Sequence, residues 1–263
     1  MNSIYSSHSP ADMAEKMVTH LSLHVLRDTA AMAEAAATIL AEQARKSIEE
    51  RGVFTLALAG GKTPVHLFRS LSTPHWQKAI NWHKTVIFWT DERCVPPEHA
   101  MSNYRMAREE LLSRIDATRF YRIKGEDDPD RAARHYEDQI EEHFGLKPGE
   151  LPRFDCILLG AGSDGHTASL FPGDKALERN SRLVTEVYQR KTPLNPTPVS
   201  RVTLTLPVLN NARLCLFMAE GRGKHDVLTS ALNLMAAPVM PAQMVRPTRG
   251  KLCWVVDEIA YQG

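Results

Sequence analysis

A histidine in a glycine-rich segment is the first candidate for chemistry in this sequence. His166 follows Gly160-Ala161-Gly162-Ser163-Asp164-Gly165, which itself follows an apolar run. An imidazole changes its charge near neutral pH, so it can act as a general base or a general acid. The alternative is a histidine that only caps or packs. The position of His166, in a loop that follows a strand, favours a proton-transfer role.

The same segment matches two other motifs in part. Its first six residues fit G-x-G-x-x-G, but Asp164 would place a carboxylate in a loop that cradles a pyrophosphate, and Pro172 would shorten the helix that must follow. A nucleophile elbow around Ser163 needs glycine where Ala161 stands, and also a later histidine, for which His225 is available. Neither a dinucleotide site nor a serine nucleophile is therefore favoured.

A second glycine turn could hold an anion. Gly60-Gly61-Lys62-Thr63-Pro64 ends an apolar run and leads into a helical pattern, and backbone N–H groups at a helix start suit a phosphate. It is not a Walker A loop, because Leu56 stands where that motif needs glycine. The alternative is an ordinary strand-to-helix turn.

Three further polar segments follow or begin strand-like runs. The triplet Asp91-Glu92-Arg93 could be a mutually satisfied cluster of ion pairs, or Arg93 could bind a carboxylate, an oxyanion or a phosphate. Arg201 begins another run, and Lys224 opens a helix after a glycine turn. Either could contact a phosphate or be a solvated surface charge.

The elements around these segments alternate between helices and strands. Helical patterns cover 28–51, 102–115 and 129–145, with shorter ones after Pro64 and Gly223, and residues 1–20 look like a loose start followed by a helix. Strand-like apolar runs lie at 53–61, 85–92, 154–162, 181–188, 201–206, 213–219 and 251–257. This order predicts one α/β domain over 1–263, with a three-layer, Rossmann-like parallel sheet whose ligand binds at the carboxyl ends of the strands.

Composition excludes several classes of protein. The chain has 263 residues, and its 32 basic and 31 acidic side chains give a formal charge of +1. Such a balance argues against a nucleic-acid or membrane-surface protein. The four cysteines form no C-x-x-C pair, which indicates a reducing compartment and no zinc module. With no signal peptide or membrane span in the sequence, we predict a cytoplasmic protein.

Five segments together resemble the 6-phosphogluconolactonase family. They are LALAGGKTP, WTDERCVPPEHAMSNY, FDCILLGAGSDGHTASLFPG, RVTLTLPVLNNA and GRGKHDVL, in this order between about residues 50 and 230. The related glucosamine-6-phosphate deaminases share the sheet and the Asp-Gly-His triplet. They carry an aromatic residue where this chain has Arg93, and a glutamate-containing segment where it has SLFPG.

The resemblance implies a NagB-like sugar-phosphate fold and assigns roles to residues. His166 would be the catalytic histidine, and Arg93 would orient and polarise a lactone carbonyl. Asp164 would hold the tautomer of His166, with Asp91 as the alternative. The expected groups that hold the substrate and its 6-phosphate are Gly60, Gly61, Lys62, Thr63, Asp91, Asn103, Arg201 and Lys224.

The implied reaction is hydrolysis of 6-phospho-D-glucono-1,5-lactone, with His166 activating water and no metal or cofactor. The partner would be this small sugar-phosphate lactone, and the chain would be a monomer or weak homodimer. Two alternatives stay open. One is a deaminase or isomerase in which Asp91 abstracts a proton, and the other is a sugar-phosphate sensor without catalysis.

Overall fold

A computed structural model describes residues 21–188, 198–233 and 237–263 of the chain. The loose start and helix expected over residues 1–20 lie outside the described residues. The strands are β1 Leu21–Leu26, β2 Phe54–Leu58, β3 Thr85–Trp89, β4 Asp91–Arg93, β5 Arg119–Phe120, β6 Cys156–Gly160, β7 Val184–Val187, β8 Arg201–Leu204, β9 Leu214–Ala219 and β10 Lys251–Asp257. The α-helices are α1 Thr29–Arg51, α2 Thr63–Leu71, α3 Pro74–Ala79, α4 Asn103–Glu110, α5 Pro129–Phe144, α6 Leu206–Asn210, α7 His225–Leu232, α8 Pro241–Met244 and α9 Glu258–Gln262.

Seven strands form a parallel sheet in the order β1-β10-β9-β6-β2-β3-β5, and every neighbouring pair is parallel. All residues of β2, β3 and β9 are buried, as expected for strands covered on both faces. Helices lie on both sides, which confirms the predicted Rossmann-like α/β class. Phe217 and Trp254 stack between β9 and β10 with their ring centroids 4.1 Å apart. Such a pair stabilises the fold by about 1 kcal/mol beyond the contribution of its buried apolar surface.

Three of the predicted strand segments do not join that sheet as expected. The run at 85–92 divides at Thr90 into β3 and β4, and β4 pairs with β8 in a separate antiparallel sheet of order β4-β8-β7. The segments at 181–188 and 201–206 contain β7 and β8 of this small sheet. Apolar composition predicted strands there correctly, but it did not distinguish which sheet they enter.

The exit of the chain from the large sheet at Thr90 has identifiable partners. The Tyr136 hydroxyl accepts from the Trp89 backbone N–H at 2.8 Å and donates to the Trp89 carbonyl at 2.9 Å. Thr90 N–H still reaches the Leu58 carbonyl, while the Thr90 carbonyl accepts from Leu204 N–H of the small sheet. The backbone groups at the bend are thereby satisfied.

Helix boundaries follow the signals read from the sequence. Asp28 caps α1 by accepting from Ala31 N–H at 2.7 Å, and Gly52 ends α1 in the left-handed region. Ser102 caps α4 through the N–H of Arg105. The helix predicted over 102–115 stops at Glu110, because a 3₁₀ turn replaces its last part.

The sequence did not predict the two edge strands of the large sheet. β1 lies at one edge of the large sheet and β5, with two residues, at the other. Only one side of each strand is paired in the sheet, so neither needs the continuous apolar pattern of a central strand. In the described ranges, no helix is long and apolar enough to cross a membrane. Cys156, Cys215 and Cys253 are buried and free, as expected for small apolar side chains.

The order of strands reverses between β2 and β6. From β2 the chain proceeds through β3 to β5 in one direction, whereas β6, β9 and β10 extend the sheet in the other. At such a switch point the loops after neighbouring strands diverge and leave a crevice. The Gly60 loop follows β2 and the His166 loop follows β6, so topology places both on this crevice.

Candidate active site

A cleft of about 340 Å³ opens at the carboxyl ends of β2, β6 and β9. That volume lies at the lower end of the range typical of small-molecule sites. Nine of the residues expected to act at the site line it: Gly60, Gly61, Lys62, Thr63, Asp91, Arg93, His166, Arg201 and Lys224. Asp164 and Asn103 are one step behind, each hydrogen-bonded to a lining residue.

His166 is held in a tight turn by its own loop. Its Nδ1 lies 2.5 Å from Asp164 Oδ1, and the same carboxylate oxygen accepts from His166 backbone N–H at 3.1 Å. Gly162 N–H donates to the His166 carbonyl at 2.8 Å, and a Cβ on Gly162 would overlap the imidazole. Glycine at 162 is therefore required by the close approach of the ring.

The pair of Asp164 and His166 has a defined charge distribution. Burial by itself raises the pKa of the Asp164 carboxyl, but the charge of His166 and the hydrogen bonds from its backbone and ring outweigh this effect, so the pKa is lowered. An ionised carboxylate can only accept, so Nδ1 is the donor in this contact, and Nε2 is the ring nitrogen left to exchange a proton with a ligand. Phe171 packs on the imidazole with its centroid 4.7 Å away, fixing the ring plane.

Arg93 reaches the cleft from the small sheet. Its Nη1 donates to Asn103 Oδ1 at 2.7 Å and to the Met101 carbonyl at 2.8 Å. Its Nε is buried and has no protein partner in the described part of the chain. Asn103 and the Met101 carbonyl thus fix the guanidinium through Nη1, at a position where Arg93 lines the cleft.

The cluster of ion pairs that was one alternative for Asp91, Glu92 and Arg93 does not form. Glu92 instead accepts from the backbone N–H groups of Arg93, Asn103 and Tyr104 at 2.7 to 2.8 Å and from the Ser102 hydroxyl at 3.1 Å. Burial raises the pKa of the Glu92 carboxyl, and these hydrogen bonds offset that only in part. These hydrogen bonds to Glu92 hold the start of α4, which includes Asn103, next to Arg93.

Asp91 and Arg201 meet through a buried serine. The Ser169 hydroxyl donates to Asp91 Oδ2 at 2.6 Å, and Arg201 Nη1 lies 3.5 Å from the Ser169 oxygen and 4.0 Å from Asp91 Oδ2. Arg201 also lies over the Phe171 ring, 5.4 Å from its centroid. Burial lowers the pKa of the Arg201 guanidinium, and Asp91 opposes this by favouring its charged form.

The Gly60 loop brings backbone groups to the wall of the cleft. Gly61 is in the left-handed region at φ +96°, and a Cβ on Gly60 would overlap the Asn103 amide. The Thr63 hydroxyl, expected to donate to a phosphate, donates to Glu220 Oε1 at 3.1 Å. Burial lowers the pKa of Lys224, and Asp164 and Glu220 oppose that effect.

The serine-nucleophile alternative lacks support in the structure. Ser163 is exposed, and Ala161, Gly162 and His166 line the cleft from this loop. His225 Nδ1 contacts the Tyr261 carbonyl at 2.8 Å, which ties that ring to the last helix. A loop and a 3₁₀ turn follow β6, so the helix of a dinucleotide site is missing over these described residues.

Sequence reasoning missed four residues at the site: Glu220, Ser169, Phe171 and Ala168. Ala168 has φ +48°, a strained value for a residue with a side chain, in the loop that carries Ser169. Glu220 directly follows β9, and its place at a strand's carboxyl end was the available signal. Ser169 and Phe171 stand in the quoted SLFPG segment but gave no signal of their own.

Comparison with known proteins decides the family. Residues 27–254 match the family model described as glucosamine-6-phosphate isomerases/6-phosphogluconolactonase. The chain belongs to this family. A relative from Synechocystis sp., named 6-phosphogluconolactonase, is 37% identical over 240 residues, covering 90% of this chain and 95% of that protein. A probable 6-phosphogluconolactonase 1 from Arabidopsis thaliana is 35% identical, covering 84% and 85%.

A solved structure extends the comparison to three dimensions. The 6-phosphogluconolactonase from Trypanosoma brucei has a TM-score of 0.82 at 28% identity, with 92% of this chain and 97% of that chain covered. A monomeric glucosamine-6-phosphate deaminase at 20% identity shares the fold, with a TM-score of 0.74. Membership of the glucosamine-6-phosphate isomerase/6-phosphogluconolactonase family, the NagB-like fold and the expectation of an enzyme are thereby confirmed.

The family assignment does not decide whether the protein needs a metal. In the ranges that the structure describes, no group of three or more histidine, cysteine, aspartate or glutamate side chains is placed to hold a metal ion. Independence from metals and cofactors stays a prediction, as do the oligomeric state, the single domain and the cytoplasmic location.

Proposed function

We propose that this protein hydrolyses 6-phospho-D-glucono-1,5-lactone to 6-phospho-D-gluconate. The observation that carries the proposal is the oriented Asp164–His166 pair in a cleft that also holds Arg93, Arg201 and Lys224. An oriented imidazole with several cations around it suits a substrate that has an electrophilic carbonyl and a phosphate. The relatives named 6-phosphogluconolactonase support the same choice.

The reaction begins with water at His166. Nε2 takes a proton from the water as its oxygen attacks C1 of the lactone, and the carbonyl electrons move to the oxygen. Asp164 stabilises the imidazolium through its Nδ1 contact of 2.5 Å. A positioned general base of this kind contributes about 10²- to 10⁴-fold in rate.

Arg93 meets the charge that develops on the carbonyl oxygen. Asn103 and the Met101 carbonyl hold its Nη1, so the guanidinium is positioned at the wall of the cleft before the substrate binds. A donor fixed before the reaction stabilises an oxyanion without having to reorganise. When the intermediate collapses, the C1–ring oxygen bond breaks, and imidazolium returns its proton to the departing ring oxygen.

The phosphate end provides binding that does not take part in bond changes. The groups that we assign to the phosphate are the backbone of Gly60 and Gly61 with the side chains of Arg201 and Lys224, all of which line the cleft. Contacts far from C1 hold the lactone in position and lower the entropy cost of reaching the transition state.

The isomerase or deaminase alternative relies on Asp91 as a base, and the contacts of Asp91 speak against it. Its Oδ2 accepts from Ser169, and its Oδ1 lies 3.3 Å from the Thr90 hydroxyl and 3.4 Å from the Asn103 amide. Both oxygens of Asp91 therefore already accept from groups of the protein, which favours a structural role over that of a base aimed at the substrate.

A proton-release assay tests the proposal directly. The lactone is generated in situ and its hydrolysis is followed at pH 6.5, where spontaneous opening is slower, with and without the protein. We expect a rate well above background, since the product carboxylic acid releases its proton on formation. Lack of acceleration over background would overturn the lactonase assignment and leave a binding protein. Turnover of glucosamine 6-phosphate in its place would favour the deaminase.

A further inference from the structure

Glu220 is a carboxylate in the part of the cleft proposed to hold a phosphate. It follows β9 and lines the cleft together with Gly61, Thr63 and Lys224. Its side chain is 23% exposed, so ligand and solvent can both reach it. An acidic group among phosphate contacts needs a physical explanation, because two negative charges at close range repel each other.

The contacts of Glu220 define its surroundings. Oε1 accepts from the Thr63 hydroxyl at 3.1 Å, and Oε2 lies 3.7 Å from His66 Nε2, one turn along α2. Glu220 also favours the charged form of Lys224. Other titratable or charged groups lie on the neighbouring elements. His66 belongs to α2 and Lys62 precedes it, while Arg222 and Lys224 follow β9. Asp164 follows β6, and Asp257, whose carboxylate accepts from Gly221 N–H, ends β10.

The Thr63 hydroxyl creates a conflict when a phosphate arrives. A hydroxyl has one proton to donate, and in this structure it goes to Glu220. An ionised carboxylate and a phosphate dianion are both acceptors only, so they cannot share that proton and cannot bond to each other. A proton on Glu220 removes the conflict, since the neutral carboxyl donates its O–H to phosphate while its other oxygen keeps the Thr63 contact.

We propose that Glu220 takes up one proton from solvent when the cleft binds a phosphate monoester. Glu220 is then a specificity-determining residue, because it sets which protonation state of the ligand the cleft binds. The new O–H bond converts carboxylate to carboxylic acid, and no other bond is formed or broken. This inference rests on the proposed phosphate end of the cleft.

The sign of the pH dependence follows from linkage. If the complex holds one proton more than the free partners, its dissociation constant rises with pH, by up to about tenfold per unit. A phosphate monoester has its second pKa at about 6, so above this pH the free ligand is a dianion and supplies no proton itself. Without Glu220 the dissociation constant should change little between pH 6.5 and 8.

Calorimetry with glucitol 6-phosphate tests the proposal. This probe has the six-carbon phosphate but no carboxylate or lactone, so it adds no charge beside His166. Titrations at pH 7 in two buffers of different ionisation enthalpy give the number of protons taken up. We expect more than half a proton per ligand for the wild-type protein and close to none for Glu220→Gln, whose amide donates without titrating. Glu220→Gln should also bind several-fold more tightly at pH 8.

His66→Gln is the matched control, because His66 is the nearest other group that could take the proton. It should keep the wild-type uptake. Uptake that is lost in His66→Gln and kept in Glu220→Gln would assign the proton to His66 and overturn the proposal. Glu220→Ala repeats the test if the amide variant does not fold.

Two outcomes separate this inference from the proposed function. Binding of glucitol 6-phosphate by the wild-type protein without proton uptake overturns the role of Glu220 and leaves the phosphate end intact. Failure of both glucitol 6-phosphate and inorganic phosphate to bind overturns the phosphate end, and the role of Glu220 with it.

Discussion

The large parallel sheet and the small antiparallel sheet bring different groups to the cleft. The large sheet contributes loops at its strand ends, which carry glycine backbone, His166 and Glu220. The small sheet contributes Asp91, Arg93 and Arg201 from within its strands. Strands buried on both faces have no room for charged side chains, whereas the small sheet can turn charged side chains toward the cleft.

The small sheet also holds two like charges side by side. In the β4–β8 register, Arg93 is directly opposite Arg201. Such pairs are destabilising unless something compensates them, and Arg93 is one reason why the pKa of Arg201 is lowered, after burial. An anionic substrate between the two guanidinium groups would supply the compensation. The large sheet thus supplies the reacting group, and the small sheet supplies the two guanidinium groups beside it.

The largest effect is expected on the side of the large sheet. His166→Asn should lower kcat by at least about 10²-fold, the size of a lost general base, with the melting temperature almost unchanged. The measurement is the proton-release assay beside a thermal melt. A variant that keeps a third of the wild-type kcat would show that another group activates water.

A smaller loss is expected from the small sheet. Arg93→Lys keeps the charge but loses the planar fork, so kcat should fall roughly 10-fold or more, with a shift of only a few degrees in melting temperature. Kinetics and a thermal melt on the same preparation check this. Near-normal kcat with a large fall in melting temperature would make Arg93 a structural residue.

The junction of the two sheets should respond to Ser169→Ala. Loss of the hydroxyl leaves a buried oxygen of Asp91 without its 2.6 Å donor and removes one contact of Arg201. We expect about 1–3 kcal/mol less stability by denaturant unfolding and a KM raised a few-fold, because Arg201 belongs to the proposed binding set. Ser163→Ala, at an exposed position in the same loop, is the control and should leave both values unchanged. Equal effects in the two variants would contradict the link through Ser169.

The smallest effect is expected in the pH dependence of the melting temperature, through a histidine that packs on β3 of the large sheet. His143 packs against Phe88, with ring centroids 5.3 Å apart, and burial lowers its pKa, helped by Arg119. A histidine held neutral stabilises the fold above its unfolded pKa of about 6.5, and this contribution is lost as pH falls toward the lowered value. Between pH 8 and 5.5, the melting temperature of His143→Leu should therefore fall less than that of the wild-type protein. His83→Gln, at an exposed position, should follow the wild type, and parallel curves for all three proteins would contradict the assignment.

Local patterns in the sequence determined most elements and one half of the site. Apolar runs of strand length predicted β2, β6, β9 and β10, and the helical patterns beginning at 28, 102 and 129 correspond to α1, α4 and α5. These signals are local, because a cap or a buried strand depends on neighbours within a few residues. The Asp164–His166 contact could be predicted for the same reason, because two residues in one turn lie close together.

Contacts between distant segments were decided by the tertiary structure alone. The sequence places Arg93 beside Asp91 and Glu92, yet its partners are Asn103 and the Met101 carbonyl, because the bend at Thr90 carries β4 into another sheet and against the start of α4. Thr63 and Glu220 are 157 positions apart and share a hydrogen bond. Residue type fixes what a charged group can do, but its partner depends on which strand ends meet at the switch point, and that is set by the packing of the whole sheet.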